Sequence, residues 1–388
     1  MATDAVSRSG SLAASAGAFV GTFALVLAAI AALFAIDTVL ARADRAASRA
    51  EGRRLFSEGM RLQAEGDMRE ALDRLRSAVA AERPNPVYQR GLAAALLAAG
   101  RPRDAQTLMA ERLQRDPTDA EASLIMARAL AREGRTRQAI GLYHRAIFGE
   151  WGDGERARRV GARFELLDLL AADHDQEQLL AELLPLQSEA PDDPATRKRI
   201  AHLFLAAGSP GRAGAMFRDL VRQDHRDADS YAGLGEAELQ QGNYRAARRA
   251  LTAGLALRPR DERIAARLAL VDRVLALDPT QRGIGTSVQY GRSLVLLALT
   301  LTAVDSCVGA GRAPPHPALL DSAKASLARP LARGASLDGA VDAQIGLAVR
   351  VWQSRPHGCP TPEFARPAEL LMGRLPTRIA PYILVCEE

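Results

Sequence analysis

The chain opens on a single polarity. Residues 12–36 hold no charged side chain, and the run Ala18-Phe19-Val20-Gly21-Thr22-Phe23-Ala24-Leu25-Val26-Leu27 continues through Ile30, Leu33 and Phe34. A helix of that length rises roughly 37 Å at about 1.5 Å per residue, enough to cross a hydrocarbon layer of ~30 Å. The pattern predicts a tail over 1–11, one transmembrane helix over 12–40 and a linker over 41–51. A cleaved signal peptide is the competing reading, with Ala41-Arg42-Ala43 as its small-x-small site. The apolar run exceeds the usual ~7–15 residues of such a segment, and Arg42 sits inside the motif, so a retained helix is preferred. Ala13, Gly17 and Gly21 fall four apart, the spacing at which small residues let two helices pack closely in lipid. Arg8 precedes the span, whereas Arg42, Arg45, Arg49, Arg53 and Arg54 follow it. The positive-inside tendency therefore places the bulk of the chain in the cytoplasm, on a single-pass anchor in a bacterial inner membrane. A periplasmic placement is the alternative, because long domains cross despite charge.

Past the linker, the pattern becomes periodic. Gly66, Gly100 and Gly134 are evenly spaced, and the same interval separates Ala71, Ala105 and Ala139, and the bulkier Leu75, Met109 and Tyr143. Gly208 and Gly242, Ala213 and Ala247, and Phe217 and Leu251 repeat it. Small residues suit the crossing of two close helices, and glycine suits a turn that other residues enter at a cost. Proline, as at Pro117 and Pro259, stops a second helix before the next begins. One such hairpin cannot cover its own apolar stripe, so several must stack.

A helix–turn–helix unit with this period, about 34 residues, resembles the tetratricopeptide repeat family. Residues 228–261 carry most of its pattern, with Tyr231, Leu234-Gly235, Gly242, Tyr244, Ala247, Leu251 and Pro259. Residues 120–153 match through Ala127, Gly134, Ala139, Tyr143 and Ala146. The resemblance divides 52–279 into six repeats and a half: 52–85, 86–119, 120–153, 154–193, 194–227, 228–261 and 262–279. The interval from Gly134 to Gly208 is two periods plus six positions, so the fourth unit holds six extra residues. They either lengthen its hairpin or bulge its turn at Asp173-His174-Asp175. The implied fold is all-α: a tetratricopeptide-type α-solenoid behind an N-terminal transmembrane helix, closed by a helical cap.

That cap is 280–388, where the period is lost. Positions 293–304 are strongly apolar, but Arg292 and Asp305 bound them. The run is well short of the ~20 residues that a span needs and suits a buried helix. Helices are expected over 317–329 and 337–354. The second has Val341, Ile345, Leu347, Val349 and Trp352 on one face. The end is irregular, broken by Pro360, Pro362, Pro367, Pro376 and Pro381.

Composition removes several function classes. Aromatic residues make up 4%, too few for a reader that stacks nucleobases. Cys307, Cys359 and Cys386 have neither zinc-knuckle nor haem spacing, and the cluster His357-Gly358-Cys359 has no second ligand pair, so no metal is expected. Cys307 and Cys359 flank two helices and would meet as a disulfide on the periplasmic side; on the cytoplasmic side they stay reduced and buried. His144, His174, His202 and His225 are scattered singly, and no Ser/His/Asp set, phosphate loop or zinc-protease motif occurs. The chain is therefore read as non-enzymatic, with no cofactor and no small-molecule substrate.

The family resemblance implies a groove lined by the first helix of each pair, taking extended or helical peptides. The positions it points to include Phe56, Met60, Arg90, Leu124, Arg128, Arg158, Lys198, His202 and Glu236. Arg90, Arg158 and Lys198 offer the cation of the family's carboxylate clamp, but the asparagine that completes it is missing. The expectation is a moderately basic, partly apolar groove for an acidic peptide. Of the 51 basic residues only Lys198 and Lys324 are lysine. The functional reading is a membrane-anchored scaffold or adaptor that binds subunits of a membrane complex and assembles or stabilises it. The alternatives are an envelope protein serving secretion or cell-envelope biogenesis, and an enzyme or enzyme-regulating subunit with its chemistry in 283–388.

Overall fold

The computed structural model describes residues 7–151, 154–309, 316–329, 331, 336–355 and 359–375, with side chains at Leu27 and from Ile30 onward except at 308–309. The chain divides into two compact units, Met1–Leu169 and Leu170–Glu388. Among the described residues there is no strand, only one isolated bridge between Asp119 and Glu150.

The first unit is a series of antiparallel helical hairpins. Helix α1 (Ser7–Glu65) pairs with α2 (Met68–Ala81), α3 (Pro86–Ala98) with α4 (Pro102–Arg115), and α5 (Ala120–Arg132) with α6 (Thr136–Phe148). The boundary between units falls within α7 (Glu155–Ala172). The repeating alanines sit where helices cross: Ala71, Ala105 and Ala139 are fully buried, beside Leu75 and Met109. Gly66, Gly100 and Gly134 all turn with φ between +72° and +90°, where a Cβ would be strained.

The second unit continues the pattern with α8 (Gln176–Glu189), α9 (Pro194–Ala206), α10 (Pro210–Gln223), α11 (Ala228–Gln240), α12 (Tyr244–Leu257) and α13 (Glu262–Leu277). Gly208 and Gly242 supply its left-handed turns. The turn before α8 instead uses His174 at φ +59°, one of two non-glycine residues described in that region. The six extra residues are now placed. His174 lies one full period before Gly208, and α7 has 18 residues where α3, α5, α9 and α11 each have 13. The insertion lengthens a helix. At Gly235 a Cβ would lie 2.5 Å from Leu251, so the α11–α12 crossing requires glycine.

Four further helices close the second unit: α14 (Thr286–Gly309), α15 (Pro317–Ala328), α16 (Leu337–Gln353) and α17 (Arg366–Met372). One core runs from Ala247 and Leu251 of α12 through Val271 and Val274 to Leu297, Val304, Ile345 and Leu371. Helix α14 is longer than its apolar run, and Thr286–Cys307 is the one described stretch long and apolar enough by composition to cross a membrane. Its apolar face is occupied: Leu296, Leu297, Thr300 and Val304 are completely buried, and α16 packs along it. Arg292 near its start donates to the carbonyls of Leu275 and Asp278, both at 3.0 Å. Those contacts are those of a core helix.

The N-terminal apolar stretch is continuous with the first hairpin, because 7–65 is one helix. Its side chains at Leu27, Ile30, Leu33, Phe34, Ile36, Val39 and Leu40 are more than half exposed. Ala13, Gly17 and Gly21 have side-chain positions outside the described residues, as do His357, Gly358 and Cys386 altogether. The Cys307 and Cys359 sulfurs are placed as a bonded pair, with Cα atoms 6.0 Å apart.

Candidate functional site

The first helices of the first unit border a cavity of about 420 Å³. Phe56 and Met60 reach it from α1, Arg90 from α3, Leu124 and Arg128 from α5, and Arg158 from α7. Six of the nine residues singled out by the sequence therefore line one space. Phe56 stacks on Tyr88 with ring centroids 4.9 Å apart. Gly91 permits this, since a Cβ there would lie 2.5 Å from the Phe56 ring. Trp151, just after α6, completes the apolar wall, and its indole Nε1 is buried without a hydrogen-bond partner.

The charges of this groove differ from the sequence expectation. Arg90 binds Asp119 at 3.0 Å and Glu121 at 3.1 Å, and Arg158 lies 3.5 Å from Glu121. Arg128 grips Glu165 with two parallel hydrogen bonds of 2.8 and 2.6 Å, and the Tyr143 hydroxyl donates to the same carboxylate at 3.3 Å. The hydrogen bond to Glu165 holds the Arg128 guanidinium above its usual pKa, against the opposing effect of burial. Burial, followed by the neighbouring Glu165 charge, pushes the Tyr143 phenol well above its ordinary range. Each groove cation is thus paired internally, and what the cavity offers a ligand is chiefly apolar surface.

Asp119 shows why. It caps α5, accepting from the Ala122 N–H at 2.9 Å, and is almost fully buried between Arg90 and Arg112, whose Nε donates at 2.8 Å. Burial pushes its carboxyl up, but the Ala122 N–H and the two guanidiniums outweigh that and hold it below the usual carboxylate range. Lys198 repeats the arrangement in the second unit. It precedes its partner Asp227 by the same sequence interval that separates Arg90 from Asp119, and its Nζ meets the carboxylate at 2.7 Å. Two of the residues expected to clamp a ligand's carboxylate, Arg90 and Lys198, instead clasp the cap of the next first helix, while Arg158 reaches back to Glu121 of the preceding one. A signal for this was present: Asn85 and Asp119, and Asp193, Asp227 and Asp261, recur once per repeat as side-chain caps.

Lys198, His202 and Glu236 belong to the second unit. Glu236 pairs with Arg267 at 3.2 Å, and His202 meets the Phe217 ring edge-on at 5.0 Å. That unit contains a larger cavity, about 580 Å³, which the sequence reading did not identify. It lies between α12, the segment after α13 and Arg374. Among the described residues no group of three or more His, Cys, Asp or Glu is placed to hold a metal ion.

The tetratricopeptide repeat family model matches residues 62–129, 96–150 and 204–271. No curated protein sequence matches the chain closely enough to count as a relative. Among solved structures, YrrB, a TPR protein with an unusual peptide-binding site, is 14% identical over 50% of this chain and 96% of its own, with a TM-score of 0.42. PilW, a type IV pilus biogenesis factor, is 18% identical over 56% of this chain and 98% of its own, with a TM-score of 0.43. The C-terminal part of a TPR repeat-containing protein from Cytophaga hutchinsonii is 12% identical over 63% of this chain and 94% of its own, with a TM-score of 0.47. With its turn glycines, crossing alanines and matched segments, the chain has an all-α fold that carries tetratricopeptide-type repeats over 62–150 and 204–271.

Proposed function

We propose that this protein is a non-catalytic scaffold, held at a membrane by residues 12–40, whose repeat array over 52–279 binds a segment of a protein partner within a membrane complex. The observation that carries the reading is the groove of the first unit. Phe56, Met60, Leu124 and Trp151 present apolar surface to one space. Because the arginines are already paired, the fitting ligand is an amphipathic peptide with an apolar anchor, in place of the acidic one expected from sequence. The exposed apolar side chains between Leu27 and Leu40 support the tether. The test places a photo-crosslinking amino acid at Met60 in the full chain in its native membrane. A discrete adduct with a membrane-complex subunit, lost in Leu124→Asp, is expected. Adducts with chaperones and ribosomal proteins alone would remove the proposal.

A specific observation favours the periplasmic placement over the cytoplasmic one. A Cys307–Cys359 bond persists only in an oxidising compartment, and a 6.0 Å Cα separation suits it without backbone movement. Alkylation of thiols in intact cells, before and after reduction, distinguishes the two. Free thiols at both positions without reductant would return the repeats to the cytoplasm.

A further inference from the structure

The second unit's cavity differs from the groove in one chemical respect: of its four arginines, Arg374 donates to the Gly242 carbonyl, whereas the other three pair with no carboxylate among the described residues. Arg245 and Arg249 lie four apart on α12, Arg282 follows α13, and all three line the cavity and are exposed. Arg245 gives one N–H to the Arg282 carbonyl at 3.3 Å. The guanidiniums of Arg249 and Arg282 meet no acceptor among the described residues, and none of the three meets a carboxylate. Their immediate neighbour shows the contrast, since Arg248 binds Asp272 at 2.8 Å. The two carboxylates at the cavity are buried and turned elsewhere. Asp278 accepts from the Thr280 N–H at 2.8 Å and its hydroxyl at 2.7 Å, and Glu238 accepts from Asn243 at 2.9 Å. Like charges one helical turn apart repel, so nothing in the folding of α12 calls for Arg245 beside Arg249.

We propose that this cavity binds an acidic peptide segment of a protein partner, its carboxylates received by Arg245, Arg249 and Arg282. Guanidinium forks match carboxylates in planar, two-bonded geometry. The space is within the range that encloses a ligand, far larger than a single inorganic ion needs. Asn243 Nδ2 is engaged with Glu238 and Gln281 Oε1 with Arg292, which leaves the Asn243 oxygen to suit a peptide N–H and the Gln281 amide nitrogen a peptide C=O. The site is independent of the groove proposed above, being lined wholly by the second unit.

The test is fluorescence anisotropy of a labelled hexaglutamate peptide with the purified full chain, at low and at raised salt. Binding that weakens with salt is expected, as is a loss of about tenfold in each of Arg249→Ala and Arg282→Ala. Arg248→Ala, which removes the same charge from the same helix, should change affinity less than about twofold, because that charge is already paired. Unchanged melting of each variant keeps the comparison clean. Equal binding of a hexaglutamine peptide, or equal losses in all three variants, would overturn the assignment. Complete displacement by inorganic phosphate at a concentration equal to the peptide's would also do so, by showing that the site reads bare charge.

Discussion

The groove of the first unit and the cavity of the second are both lined by arginine, yet they put it to opposite uses. In the first, Arg90, Arg128 and Arg158 are closed onto Asp119, Glu121 and Glu165, and the ion pairs hold neighbouring first helices together. In the second, Arg249 and Arg282 line one cavity and pair with no carboxylate among the described residues. Counting cations along a chain therefore says little about a binding surface; what matters is which of them retain unsatisfied donors after folding.

The comparison is broken most directly at Asp119. Asp119→Ala uncaps α5 and takes one of two carboxylate partners from each of two guanidiniums, Arg90 keeping Glu121 and Arg112 keeping Asp116, so we expect a loss of about 2–3 kcal/mol in urea unfolding of the full chain. A loss under about 1 kcal/mol would mean that the closed network is no more structural than the open one. Acid probes the same carboxylate more gently. Its folded-state pKa lies below the unfolded value of about 3.9, so its contribution is complete above that value and drains away as pH falls through the folded one. Melting temperature followed from pH 5 to pH 2 should fall more steeply in the wild type than in the Asp119→Ala variant; parallel slopes would contradict the assignment. The smallest effect is expected at Arg249→Ala, within about 0.5 kcal/mol, since no partner is lost. A large destabilisation there would show that the cavity arginines are structural after all.

The hairpins were legible in the sequence because their constraints are local and repeat. Gly66, Gly100, Gly134, Gly208 and Gly242 must each enter the left-handed region, and the alanines must let two helices touch. The sequence also located the six extra residues but not their form, because a longer helix and a bulged turn leave the same count. His174 hides the answer, since it takes a glycine's conformation without being glycine. The groove's lining was legible from position within each repeat, whereas its charge balance was not. Arg128 and Glu165 come from different repeats and meet only after folding. The second cavity follows no period at all. Arg249 and Arg374 come from elements that no repeat relates, and only the packing of the cap brings them to one space.

The length of α1 has a mechanical meaning. One uninterrupted helix carries both the exposed apolar side chains ending at Leu40 and the groove residues Phe56 and Met60, with no proline in the residues between. The stretch from Leu40 to Phe56 is a stiff spacer of roughly 24 Å that fixes distance and azimuth together. Adding one residue within 41–51 would lengthen it by only about 1.5 Å but swing the two ends about 100° out of phase, so this stem acts as a ruler and a compass at once.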